Sequence, residues 1–224
     1  MATIAENLQV VKARIDEARA RCGGAPEVTL LAVSKGHGVE RIREAAAAGQ
    51  KAFGENYVQD ALPKMDALPQ LEWHLIGALQ SNKTRVAAER FDWIQTVDRE
   101  KIARRLSDQR PVHRPPLNVL VQVNISGESG KSGAAIDEVA GLARTVAALP
   151  RLRLRGLMAI PRPGDTSGLH RMKQLFDQLK GELRMDTLSM GMSDDLETAI
   201  AAGSTMVRVG TAIFGQRNKE KSAA

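Results

Sequence analysis

Strand-like and helix-like segments alternate along this chain almost without exception, and nothing else in the sequence narrows the fold as much. The apolar run in "TLLAVSK" is followed by a helical pattern in "VERIREAAAAG", then by "KAFGEN" and a helix through "YVQDALPKMDAL". Next come "EWHLIGA", a helix from "SNKTRVAAER", "WIQTVD" and a helix from "REKIARRLSDQ". The second half reads "NVLVQVNI", a long helix "AIDEVAGLARTVAAL", "LRLRGLMAI", a helix through "LHRMKQLFDQLKGEL", "DTLSMG", a helix "SDDLETAIAAG" and a last strand "MVRVGTAIFG". Short apolar runs bounded by turn residues are buried strands, and apolar residues at helical spacing are the faces that cover them. About eight strands with helices between them predict an α/β fold, a single-domain (β/α)8 TIM barrel. A doubly wound open sheet is the alternative, and it needs no more than about six or seven strands.

Ahead of the first strand, "MATIAENLQVVKARIDEARARCGG" interleaves charge with Ile4, Leu8, Val11 and Ile15 at helical spacing, and Thr3 with Glu6 makes a capping box. Residues 1–23 are therefore expected to form an extra helix packed on the barrel rather than a signal peptide. No linker rich in Gly, Pro or Ser divides the chain, so residues 1–224 are expected to be one domain. The "PRPGDTSG" loop is expected to be mobile and residues 217–224 to fray.

A hydrophobic content of 43% with 26% charged residues is that of a soluble globular protein, and no apolar run approaches a membrane span. The single cysteine, Cys22, allows neither an internal disulfide nor a cysteine metal site, which makes a reducing cytoplasm the expected compartment. A net charge of +6 raises nucleic acid as a partner, but the charges are spread over helical faces and only 3% of residues are aromatic. An attraction for small phosphorylated anions explains the surplus equally well. There is no HExxH spacing, Walker loop or GxGxxG turn to support a metal hydrolase or a nucleotide enzyme.

In a barrel of this kind function gathers at the C-terminal ends of the strands. The residues that end the runs are Lys35, Asn56, the Gln80 to Lys83 group, Asp98, Asn124, Met158, Ser189 to Ser193, and Arg208 to Thr211. Lys35 either snorkels its ammonium into water or faces a ring of hydrogen-bonding groups, where desolvation eases loss of its proton as a Schiff-base lysine requires. Ser193 is expected to cap the last helix, with Gly210 and Thr211 beside it, at a place where barrels bind phosphate. Asp194 and Asp195 either complement the helix dipole or, if a phosphate binds, point away from it. Arg208 interrupts an apolar strand and needs a partner, either a carboxylate such as Glu55 or Asp98 or a cofactor ring nitrogen. His74 reads as a hydrogen-bonded core histidine before an acid or base.

"LLAVSK", "FGENYVQ", "WHLIGALQSNK", "NISGESGKSG", "GLMAIP" and "LSMGMSDDLETAIAAGSTMVRVGTAIFG" together resemble the pyridoxal phosphate homeostasis protein family, in order and over nearly the whole chain. The resemblance implies a barrel like the N-terminal domain of alanine racemase, a fold type III binder of pyridoxal 5'-phosphate (PLP). It implies an aldimine on Lys35, Asn56 near the cofactor, Ser193, Gly210 and Thr211 on its phosphate, and Arg208 at the pyridine nitrogen. Two positions depart from the family's usual pattern. Gly36, His37 and Gly38 stand where the family commonly continues "TKP", and Ala78 stands where it commonly has proline. The first change removes a basic neighbour of Lys35 and is expected to loosen its loop, affecting cofactor exchange.

The same barrel and lysine serve racemases, so a PLP carrier and a PLP enzyme are both open. Racemases that the chain resembles use a second base, a tyrosine from an added β domain, whereas the only tyrosine here is Tyr57 beside Asn56. A cation at the pyridine nitrogen also keeps that nitrogen unprotonated and weakens carbanion chemistry. The expected function is a cytoplasmic, monomeric, non-catalytic PLP-binding protein of vitamin B6 homeostasis, with PLP-dependent apo-enzymes as recipients and neither membrane nor nucleic acid as partner. A low-activity racemase is the second reading, and an aldolase-like barrel without cofactor the third.

Overall fold

The computed structural model describes residues 2–23, 27–128 and 130–216. Eight strands, β1 (Thr29–Val33), β2 (Ala52–Glu55), β3 (Glu72–Leu75), β4 (Trp93–Val97), β5 (Leu117–Val123), β6 (Leu152–Ala159), β7 (Thr187–Ser189) and β8 (Met206–Val209), close into a parallel barrel in chain order. The barrel shuts where β1 pairs with β8, Leu31 opposite Arg208. Helices α2 (Val39–Ala47), α3 (Val58–Ala67), α4 (Thr84–Arg90), α5 (Glu100–Gln109), α6 (Val139–Ala147), α7 (Thr166–Leu183) and α8 (Leu196–Ala201) follow the first seven strands in turn. With the short α9 (Thr211–Phe214) after β8, every strand has its helix.

The extra helix α1 (Ile4–Arg21) starts at the expected Thr3–Glu6 capping box and buries Ile4, Leu8, Val11, Ile15 and Ala18. Those residues join the main core, the layer between the sheet and its helices. Asn7 Nδ2 donates to Ile213 O at 2.9 Å, tying α1 to α9 at the closing edge.

Side chains alternate across each strand, so every second residue points into the barrel. Small apolar clusters fill parts of that interior, Leu31 with Ala52 and Met206, and Trp93 with Leu120 and Met158. Buried polar residues at interior positions include His74, Gln95, Ser189 and Arg208.

Three sequence expectations change. The run "MVRVGTAIFG" leaves the sheet at Val209 and turns into α9, because Gly210 begins a helical turn in which Ile213 and Phe214 are buried. The helix expected through "AIDEVAGLARTVAAL" begins only at Val139. In "PRPGDTSG", Thr166, Ser167 and Gly168 belong to α7, because the Asp165 carboxylate caps that helix, accepting from the Gly168 amide at 2.8 Å. The frayed tail expected at 217–224 lies outside the described residues. Among the described residues no helix is long and apolar enough to cross a membrane.

Candidate functional site

A pocket of about 650 Å³ opens at the C-terminal ends of the strands, and Lys35, Asn56, Ser193, Arg208, Gly210 and Thr211 all line it. Residues from β1, β2, β7, β8 and their loops thus meet at one place, as the strand-end reading anticipated.

Lys35 follows β1 at a tight turn in which the His37 amide donates to Ser34 O at 3.1 Å. Gly36 takes φ +74°, a conformation that costs a glycine little and a β-branched residue much. His37 stacks on Phe214 of α9 with centroids 5.1 Å apart. The Lys64 ammonium donates to Ser34 O at 3.0 Å and to Glu55 Oε1 at 2.6 Å, and the Ser34 hydroxyl donates to the same oxygen at 2.5 Å. The loop expected to be loosened is therefore held by a closing hydrogen bond, a ring contact and a buried lysine. Strand alternation sorts the roles: Ser34 and Glu55 face the helices, while Lys35 and Asn56, one residue later, face the pocket.

Asn56 is seated by a close approach. A Cβ on Gly77 would stand 2.1 Å from the Asn56 carbonyl oxygen, so only glycine lets the β3 loop pass. The Thr96 hydroxyl holds that glycine by donating to its carbonyl at 2.9 Å.

On the opposite wall, Ser193 lies in the loop between β7 and α8 but does not cap the helix. Asp195 is the N-cap residue, and its carboxylate accepts from the Met192 amide at 2.6 Å, bending the loop back on itself. Asp195 is thereby turned to its own loop, whereas Asp194 is among the residues that line the pocket. Arg14 of α1 reaches over to donate to Ser193 O at 3.0 Å while pairing with Glu197 at 2.7 Å. Gly210 brings the backbone near β1, since an added Cβ would meet Val33 O at 3.1 Å.

Arg208 is 4% exposed, and its partners are neutral. Nη1 donates to Ser189 Oγ at 2.7 Å and Nη2 to Ala159 O at 2.9 Å. The carboxylates named from the sequence are engaged elsewhere: Glu55 faces outward to Lys64, and Asp98 pairs with Arg99. Burial without a carboxylate in contact pulls the guanidinium down to about 10, with Asp195 a weaker opposing influence. It remains a cation at neutral pH, aimed at the pocket with no anion spent on it.

His74 is the core histidine weighed from the sequence, bonded to Glu72 and Gln95 and stacked on Trp93 at 5.0 Å. Polar lining residues that strand-end reasoning missed include Gln122, Lys131, Ser132 and Gln216. The signal for Gln122 was present, because it stands two residues before Asn124 and so shares its face of the strand.

The lining suits an anionic aromatic aldehyde. Lys35 offers an amine, Arg208 a desolvated cation, and Ser193, Gly210 and Thr211 offer hydroxyls and backbone beside the start of α9. Gln122 Oε1 is buried with no hydrogen-bond partner while its Nε2 is held by Ser132 O, so the wall retains an acceptor for a ligand. PLP fits this donor set.

Known proteins agree on the family. Residues 6–218 match the model of the alanine racemase N-terminal domain. The chain is 54% identical to the pyridoxal phosphate homeostasis protein of Escherichia coli K12, covering 99% of this chain and 100% of that one. It is 55% identical to the protein of that name from Pseudomonas aeruginosa, over 97% of each. Among solved structures, PipY of Synechococcus elongatus with PLP bound superposes with a TM-score of 0.83 at 36% identity, covering 95% of this chain and all of PipY. Alanine racemase from Corynebacterium glutamicum shares the fold at 18% identity and a TM-score of 0.68, with 61% of that enzyme covered. With more than half of its residues matched across the full length of such relatives, this chain belongs to the pyridoxal phosphate homeostasis protein family.

Proposed function

We propose that this chain binds PLP in the strand-end pocket and serves intracellular vitamin B6 homeostasis, holding the cofactor without turning over a substrate. The observation that carries the reading is the convergence of Lys35, Asn56, Ser193, Arg208, Gly210 and Thr211 on one wall-to-wall site. When bound, PLP supplies an aldehyde that condenses with amines and a ring that withdraws electrons. Lys35 is the covalent anchor, presented by a turn that the His37 amide closes on Ser34 O. Ser193, Gly210 and Thr211 hold the phosphate through hydroxyls and amides. Arg208 keeps a positive charge on the ring side of the pocket, and its own hydrogen bonds to Ser189 and Ala159 fix it there.

The non-catalytic part of the reading rests on what faces the pocket. Tyr57 is 65% exposed and is not among the residues that line the cavity. No tyrosine or histidine stands among the described lining residues, and this supports the carrier reading over the racemase one. PLP-dependent apo-enzymes are the recipients of the stored cofactor.

Borohydride treatment of the PLP-loaded protein should fix the cofactor to the peptide bearing Lys35, and Lys35→Ala should abolish the adduct. An adduct on another lysine would overturn the site. Thr211→Val should weaken PLP more than the unphosphorylated aldehyde, and saturating PLP at a hundredfold excess over its dissociation constant should stabilise the fold by about 2.7 kcal/mol. Exchange of the Cα hydrogen of alanine or serine in heavy water should remain at background. Exchange at an enzymatic rate that Lys35→Ala removes would establish the racemase reading instead.

A further inference from the structure

Four hydrogen bonds in series cross the barrel interior. Arg208 Nη1 donates to Ser189 Oγ at 2.7 Å, and the Ser189 hydroxyl donates to Gln95 Oε1 at 2.8 Å. Gln95 Nε2 lies 2.9 Å from His74 Nδ1, and His74 Nε2 lies 2.8 Å from Glu72 Oε1. The residues come from β8, β7, β4 and β3, and the chain ends on a carboxylate at the start of β3, the end of the strand opposite the pocket.

The direction of every bond follows from its ends. A guanidinium can only donate, so Ser189 must accept from Arg208 and spend its single hydrogen on Gln95. A carboxylate can only accept, so His74 must carry its proton on Nε2, leaving Nδ1 to accept from the Gln95 amide. The amide of Gln95 then has one orientation that satisfies both neighbours. Each donor points the same way, from the cation at the pocket to the anion at the far end. Burial holds His74 below its ordinary range and outweighs Glu72, which raises it. Asp92 also raises it, and Arg155, which lies over the Trp93 ring at 4.7 Å, lowers it. A neutral imidazole is what the chain requires.

We infer that Gln95 and His74 are positioning residues for Arg208, and that Glu72 sets the orientation of the pocket cation from the other end of the barrel by fixing the His74 tautomer. Removing Gln95, or reversing its amide through the other His74 tautomer, takes away the acceptor of the Ser189 hydroxyl and leaves it free to rotate its hydrogen toward Arg208, where it repels the guanidinium instead of receiving it. Of its hydrogen bonds to Ser189 and Ala159, Arg208 then keeps the one to Ala159 O. The inference rests on the PLP reading for its second measurement only.

The first measurement needs no cofactor. Nitrogen NMR of the apo-protein should show His74 as the neutral Nε2–H tautomer, and Gln95→Glu, which can accept from Ser189 but cannot donate to Nδ1, should convert it to the imidazolium. An Nδ1–H tautomer in the unaltered protein, or an unchanged His74 in Gln95→Glu, overturns the proposal. The second is a pH titration of the absorption band of bound PLP. Gln95→Leu and the smaller change Ser189→Ala should each shift the pH profile and weaken PLP by about tenfold, the size expected for a hydrogen bond to a charged group. Met206→Leu, which alters the same core beside Gln95 without cutting the chain, should leave the profile as it was. If the unaltered protein shows no PLP band, the function proposed above fails. If it shows the band and both cut variants keep the original profile, the positioning role fails.

Discussion

Two buried polar clusters flank the pocket, and they handle charge in opposite ways. Outside the sheet, Lys64 and Glu55 meet at 2.6 Å with both side chains almost wholly removed from water. Inside the barrel, Arg208 and Glu72 never touch, and three neutral side chains join them. A contact pair must recover the desolvation of two ions through attraction at short range. Even so, burial pushes the Glu55 carboxyl above its usual range, the pull of Lys64 being the smaller influence. The relay leaves the Glu72 carboxylate half-exposed, so one ion rather than two bears the full cost of burial. Each arrangement suits its task. The compact pair fixes the backbone before Lys35, while the relay leaves Arg208 free of any carboxylate and able to serve a ligand.

The largest expected effect lies in the contact pair. Lys64→Met strands Glu55 and should cost about 3–5 kcal/mol in urea melts at pH 8. Because the folded carboxyl then holds its proton at higher pH than the unfolded one, part of that loss should return as pH falls through the folded Glu55 pKa. A loss under about 1 kcal/mol would mean that water reaches the pair and that the two clusters differ less than their geometry implies.

Within the relay, Ser189→Ala should cost about 1–3 kcal/mol, since it leaves Gln95 Oε1 and one Arg208 donor without their present partner. A loss as large as that of Lys64→Met would erase the distinction between pair and relay.

The pH response of the unaltered protein should be gentler and should point to the relay. Unfolded histidine takes up a proton below about pH 6.5, whereas buried His74 resists protonation to lower pH. Stability from this source is therefore complete above about pH 6.5 and is lost as pH falls toward the folded His74 pKa. His74→Gln should flatten that part of the profile in melting experiments between pH 5 and 8. A slope that survives the substitution would assign it to other groups.

The smallest effect belongs to a third, exposed pair. Arg14 and Glu197 are 32% and 40% exposed, and Arg14→Ala should cost no more than about 1 kcal/mol while loosening the Ser193 loop. PLP affinity that falls without a matching loss of stability would show that this helix-to-loop brace acts on the site.

Much of this was legible in the sequence, for identifiable reasons. The alternation of periods gave the count of about eight strands, and the ends of the apolar runs marked Lys35, Asn56 and Arg208 as residues of the pocket end of the barrel. The α1 cap was readable because Thr3 and Glu6 are three residues apart and complete each other locally. Residue chemistry likewise marked Lys35 and Arg208 as costly to bury without purpose. Ser193 was misread as a cap because Ser193, Asp194 and Asp195 are all competent N-cap residues, and the choice falls on Asp195 where the fully buried Leu196 opens α8. The carboxylates weighed as partners of Arg208 are not the groups it meets, for a different reason. Residue type alone is no guide to which side chains adjoin once the barrel closes, and Ser189 and Gln95, which do adjoin, stand 94 positions apart. What the chain determined by itself is therefore periodic and local: element order, the cap of α1, and the cation and amine at the strand ends. The tertiary structure alone decided which polar groups satisfy one another, because a buried donor is satisfied by whatever acceptor the folded barrel brings within about 3 Å.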